Sequence, residues 1–149
     1  MAKVHSLFRA PKKRLPMEEL TEVRVLADFG LEGCAHARPG TVRQVLLMDR
    51  ETLEAMELRL GILRENITTD GLNVNSLPIG QHLRIGKVRM EVTMVCTPCD
   101  LMERIRPGLR KELWGRRGML CRVLEGGILR PGDVIEKVQR SALDQAQHA

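Results

Sequence analysis

The stretch VRMEVTMVCTPCD, residues 88–100, decides how the chain is read. Val88, Met90, Val92, Met94 and Cys96 fall on one side of an extended chain, and Arg89, Glu91 and Thr93 on the other. Period-two alternation marks a half-buried strand, with Cys96 continuing its apolar face as a small hydrophobe. Pro98 has no N–H to give a ladder, so the strand stops before Cys99. Asp100 followed by Glu103 then reads as a capping-box start, with Leu101, Met102 and Ile105 as an apolar stripe that Pro107 ends. Cys99 is therefore expected in a strand-to-helix loop, outside the packing that holds Cys96.

Working outward, frequent Gly and Pro separate short runs rich in Val, Ile, Leu and Met. Strands are expected over residues 3–8, 21–27, 43–48, 65–69, 82–85, 88–96, 119–124 and 133–138. Cys121 shares an apolar face with Met119 and Val123. A further helix is marked by Asp49 as N-cap, by Leu53, Met56 and Leu60 at helical spacing, and by Gly61 as its stop. The chain thus reads as mostly β with a few helices. Its 149 residues, 43% of them hydrophobic, suit one cored domain over residues 1–140. The polar tail, residues 141–149, is expected to be disordered.

The start MAKVHSLFRAPKKRLP lacks the apolar segment of a secretory signal, and no run of apolar residues is long enough to span a bilayer. A soluble cytoplasmic protein is expected, with no membrane partner. Thiols stay reduced there, so Cys34, Cys96, Cys99 and Cys121 are read as core residues, ligands or nucleophiles before disulfides. The net charge of +5 raises the question of nucleic acid. Two Phe, one Trp and no Tyr leave almost no platform for stacking bases, so nucleic acid is not the expected partner. An anionic small ligand accounts for scattered arginines equally well.

A thiol works as a thiolate, and an ordinary cysteine is mostly protonated at neutral pH. A helix N-terminus favours an anion by roughly 0.3 to 1 kcal/mol, less than the roughly 1.4 kcal/mol of one pKa unit. Arg38, Arg43 and Arg64, or a bound metal, are the groups that would supply the remainder at Cys99. A thioredoxin-like pair would need a βαβ setting that is not seen, and strand parity turns one thiol inward. A structural zinc site from Cys34, His36, Cys96 and Cys99 is an alternative, though Cys34-Ala-His36 is not a usual ligand spacing. Two inert cysteines are the third reading of CTPC.

Several segments taken together resemble the MOSC domain, the module found at the C-terminus of molybdenum cofactor sulfurases and in small stand-alone bacterial proteins. They are GLEGCAHARPGTVRQVLLM, GILRENITTDGLNVNSLPIGQHLRIG, VRMEVTMVCTPCDLMERIRPGLRKELWGRRGMLCRVLEGG and LRPGD, lying between Gly30 and Asp133, and the resemblance as a whole covers residues 3–138. The resemblance implies a closed β-barrel of the MOSC or pyruvate-kinase-barrel-like type. It implies binding of a molybdenum-pyranopterin cofactor, and Cys99 as the hallmark cysteine: a molybdenum ligand, or a sulfur carrier as a persulfide. Soft thiolate ligation and sulfur transfer both suit an exposed cysteine. LREN resembles the segment whose Arg and Asn approach the cofactor, which makes Arg64 and Asn66 pocket residues, with Thr68 one repeat further on the same face. PKK resembles the entrance loop and nominates Lys13; GLEG..H nominates His36 and Arg38. Most members carry Asp after GLEG, whereas this chain has Cys34, a soft and weakly hydrogen-bonding group, which leaves room for a second functional thiol.

The implied partners are a cysteine desulfurase or other sulfur donor, and an electron-transfer partner if the protein is redox-active. Turnover is left open between sulfur transfer and a molybdenum-dependent redox component, since no second redox centre or nucleotide fingerprint is present. Pyridoxal phosphate, which accompanies the family, belongs to a separate sulfurase module. A non-catalytic small-ligand binding module is the rival from another class.

Overall fold

In the computed structural model, which describes residues 1–13 and 15–139, the element that organises the rest is β5 (Val45–Asp49), buried at every residue. Val45 and Leu47 face the main core; Leu46 and Met48, of opposite parity, face two smaller apolar clusters. A strand covered on both faces is a continuous apolar run, as VLLM is.

Around β5 runs an eight-stranded sheet. Its other members are β1 (Lys3–Arg9), β2 (Glu18–Leu20), β6 (Ile67–Asp70), β7 (His82–Ile85), β8 (Val88–Val95), β9 (Met119–Glu125) and β11 (Glu136–Val138), in the order β11-β7-β8-β9-β5-β6-β1-β2. Among the described residues only β5 and β6 pair in parallel, and the helix between them makes that crossover. A second sheet joins β10 (Gly127–Leu129), β3 (Val23–Leu26) and β4 (Gly30–Leu31) in the order β10-β3-β4.

The expected closed barrel is not formed: both sheets are open. Closure needs a continuous staggered ladder between the two edge strands. Here the edges, β2 and β11, are three residues each and are not neighbours. Just after the turn at Pro131 and Gly132, the chain before β11 meets the start of β1 through the isolated bridge of Lys3 with Val134 and three backbone hydrogen bonds. These run from the Val4, Gly132 and Ile135 N–H groups to the Asp133, Val4 and Ala2 carbonyls, and do not extend into a ladder among the described residues.

Of the predicted strands, each of the eight overlaps an observed one; β2, β4 and β10, three residues or fewer, were too short to alternate visibly. In β8 the expected face holds through Val88, Met90 and Val92, all fully buried. A bulge between Val92 and Met94 then shifts the register, and Cys96 packs with Leu46, Leu120 and Met94 in a small cluster of its own.

α1 (Arg50–Ala55) starts as read, with the Asp49 carboxylate accepting from the Thr52 N–H at 2.9 Å. It ends well before Gly61, because Glu57 turns into the left-handed region at φ 56°. α2 (Leu101–Ile105) forms where expected but has no capping box: the Asp100 side chain makes no cap bond and pairs with Arg110. Glu103 reaches forward instead, accepting from the N–H groups of Gly108 and Arg110 at the start of α3 (Leu109–Glu112), a helix the sequence reading missed.

Candidate anion-binding site

Five pieces of chain converge beside β5: the loop after β1, residues 35–44 before β5, the Arg64–Asn66 approach to β6, Cys96 just beyond β8, and the residues leading into β9. They enclose a cavity of about 320 Å³. Its charged lining is entirely basic: Lys13, Arg38, Arg43, Arg64 and Arg117, with no carboxylate among the lining residues. His36, Gln44, Asn66 and Cys96 add polar and soft groups; Val45, Leu46 and Leu120 form the apolar part.

Arg117 is the residue that sequence reasoning missed. It is 5% exposed, and its Nε and Nη1 have no hydrogen-bond partner. Buried guanidinium donors without an acceptor are costly, on the order of 1–3 kcal/mol for each unsatisfied group. Glu65 is near enough for the charge of Arg117 to act on its carboxyl, but no hydrogen bond joins them, and Glu65 Oε1 is itself unpartnered. Burial holds Glu65 above the usual carboxylate range, against hydrogen bonds from the Gly61 N–H, its own N–H and the Thr68 hydroxyl and against the charge of Arg117. One signal was available: Arg117 is in phase with Met119, Cys121 and Val123, the inward face of β9.

Its position is set by Gly118, at φ 107°, where an added Cβ would lie 2.3 Å from the Leu47 carbonyl oxygen. Asn75 clamps the same residue, accepting from the Gly118 N–H at 3.0 Å and donating to the Gly118 carbonyl at 3.3 Å.

Arg64 stands at φ 64°, a region sparsely used by non-glycine residues. Its Nη1 donates to the Leu15 carbonyl at 2.7 Å, while its Nη2 is buried without a partner. Asn66, 2% exposed, is committed to the fold: Oδ1 accepts from the Leu46 N–H at 3.0 Å, and Nδ2 donates to the Phe8 carbonyl at 3.2 Å and to Cys34 Sγ at 3.5 Å. Lys13 and Arg38 are exposed at the rim, and His36 is half-buried. The loop carrying Arg38 and Arg43 is tied down by Asp28. Its carboxylate accepts from Gln44 Nε2, the Gly40 N–H and Arg122, contacts that together hold it below the usual range, the Gln44 bond foremost.

Two nominated residues lie outside the cavity lining. Thr68 is fully buried farther along β6, where its hydroxyl donates to Glu65 Oε2 at 3.1 Å, so its part is to hold Glu65. Cys99 is exposed on the loop three residues beyond the cavity-lining Cys96, as parity required, and the basic residues that were to lower its pKa line the cavity instead. The zinc set is not assembled: among the described residues no three His, Cys, Asp or Glu side chains group as metal ligands. All four cysteines are free. No helix among the described residues is long and apolar enough to cross a membrane.

A model of the MOSC domain family matches residues 35–136, more than half of the chain. The chain belongs to the MOSC domain family. Its fold is similar to that of the YUAD protein from Bacillus subtilis (TM-score 0.77, 20% identity, covering 93% of this chain and 97% of that one). It is also similar to YiiM from Geobacillus stearothermophilus (TM-score 0.76, 20% identity, 95% and 77%) and YiiM from Escherichia coli (TM-score 0.68, 22% identity, 94% and 69%). At these identities the likeness is one of fold. No curated protein matches this MOSC chain. The family match begins at Ala35, so Cys34 lies just outside it.

Proposed function

We propose that the cavity binds a small anionic ligand, and that in this MOSC domain the ligand is a molybdenum-pyranopterin cofactor or a related phosphate-bearing molecule. The observation that carries the reading is Arg117, a guanidinium nine-tenths buried with two unpartnered N atoms on a cavity whose charged lining is all basic. An oxyanion satisfies those donors and the spare Nη2 of Arg64 by charge-assisted bonds. Lys13, Arg38 and Arg43 at the rim add attraction and orientation. When bound, such a cofactor supplies a molybdenum centre with affinity for soft sulfur ligands. Cys99, exposed beside the Cys96 wall, is the thiol that would ligate that metal or carry sulfur as a persulfide.

Protein purified from molybdenum-replete cells is expected to contain molybdenum by elemental analysis, or a Cys99-linked sulfane sulfur by intact mass, and Cys99→Ser to lose both. Wild-type protein with neither overturns the reading.

A second reading is a binding module that delivers or senses the anion without chemistry at sulfur, and it draws support from the place of Cys99 outside the cavity lining. It predicts that Cys99→Ser keeps the bound ligand while Arg117→Ala releases it.

A further inference from the structure

A groove of about 360 Å³ lies against the basic cavity, and Arg64 lines both. Its walls are chiefly apolar, from Phe8, Met17, Leu60, Ile62, Leu101 and Ile105. The charged groups along it are Arg59 and Arg64, and no carboxylate lines it among the described residues. Cavity and groove each have the size of a small-ligand site, roughly 300–1,000 Å³. Two stretches of chain tie them together. The loop between β1 and β2 gives Lys13 to the cavity and Met17 to the groove, and the bond from Arg64 Nη1 to the Leu15 carbonyl fastens it midway. The chain that lines the cavity at Cys96 reaches the groove at Leu101, so Cys99 sits on the span from one to the other. Arg64 holds its shared place in the left-handed region, at φ 64°, and backbone strain of this kind collects at ligand sites. Its Nη2 is buried and has no partner.

We propose that the groove is the organic half of the anion site: the ligand is a small organic phosphate whose phosphate lies on Arg64 in the basic cavity and whose apolar alkyl or aryl group lies in the groove. This rests on the reading of the cavity as an anion site and adds the class of molecule. An inorganic anion leaves the apolar walls of the groove against water, and a neutral apolar molecule leaves the Arg64 donor unsatisfied. A molecule with both parts answers both, by a charge-assisted bond at one end and apolar burial at the other. Guanidinium is the charge along the groove, and the charged lining of the cavity is all basic, so a cationic ligand is repelled from either. Leu101, 37% exposed, is the part of the apolar wall that solvent reaches, two residues beyond Cys99.

The test is calorimetric titration of the full chain with inorganic phosphate and with methyl, butyl and hexyl phosphate, each kept below self-association. Inorganic phosphate is expected to bind, and hexyl phosphate to bind about tenfold tighter than butyl phosphate, roughly threefold for each methylene removed from water. Leu101→Gln alters the groove at an exposed side chain and leaves the cavity lining as it is. It is expected to keep the affinity for inorganic phosphate and to cut the gain from butyl to hexyl to about threefold or less. Arg64→Gly, which suits the left-handed φ, is expected to weaken all four ligands by at least about tenfold. Inorganic phosphate that binds with no gain from chain length, or a gain that Leu101→Gln leaves whole, overturns the inference while the cavity remains an anion site. Failure of all four phosphates to bind overturns the reading of the cavity and the inference with it.

Discussion

At the scale of single residues, two buried groups hold charge where packing alone would not place it. Arg117 keeps guanidinium donors free at the cavity, and Cys34 gathers donors onto sulfur. The second has a consequence for stability. The folded-state pKa of Cys34, about 7, lies below the ordinary value of 9.0, so the unfolded chain binds the proton more tightly. The stabilisation from the bonded thiolate is therefore fully present above about pH 9 and is lost as pH falls through about 7. Urea titrations of wild type and Cys34→Ser are expected to show the wild-type advantage growing between those limits by up to about 3 kcal/mol. A flat difference would mean that the thiol stays protonated.

At the scale of elements, the site depends on where strands begin. Gly118 lets the start of β9 approach the Leu47 carbonyl, and the next residue back is Arg117. Gly118→Ala combines a strained φ with a backbone clash, so it is expected to cost at least about 2 kcal/mol in chemical denaturation and to weaken anion binding with it. This level also marks what the sequence made legible. Strong alternation revealed β8 and its break before Cys99, and the Asp49 cap was read directly from residue type. The capping box failed because Asp100 and Glu103 both found longer-range partners around α3, which sequence spacing does not register. Arg64, Asn66, Lys13, His36 and Arg38 were nominated through family-like segments, and the fold does bring them to one cavity. Thr68 did not follow, because strand periodicity says which face a residue shares but not how far along the strand a cavity extends. Arg117 escaped notice because a cation before a strand reads as solvated charge until its phase with Met119 and Cys121 is considered.

At the scale of the whole molecule, the open sheet divides stability unevenly. The pairs β8 with β9 and β9 with β5 lie at its centre, with Val92, Cys121 and Val45 buried along them. The edge strands β2 and β11 carry three residues each, and the bridge at Lys3 and Val134 is isolated. Local opening follows burial and edge exposure. Native-state hydrogen exchange is expected to be slowest in β5, β8 and β9, and faster by orders of magnitude in β11 and at the 132–135 contacts with β1. Equal protection at centre and edges would imply a ladder that closes the sheet.

The cavity ties these scales together, since the buried cation, the glycine that places it and the stable centre of the sheet all meet there. Thermal unfolding of wild type and Arg117→Met, each with and without pyrophosphate, tests the account most directly. Without ligand, Arg117→Met is expected to be more stable by about 1–3 kcal/mol, because a buried unpaired guanidinium has been removed. With pyrophosphate at a hundred times its Kd, wild type is expected to gain about 2.7 kcal/mol and Arg117→Met nothing. A wild type indifferent to the anion, or an Arg117→Met variant that is less stable and responds as fully, would contradict the account.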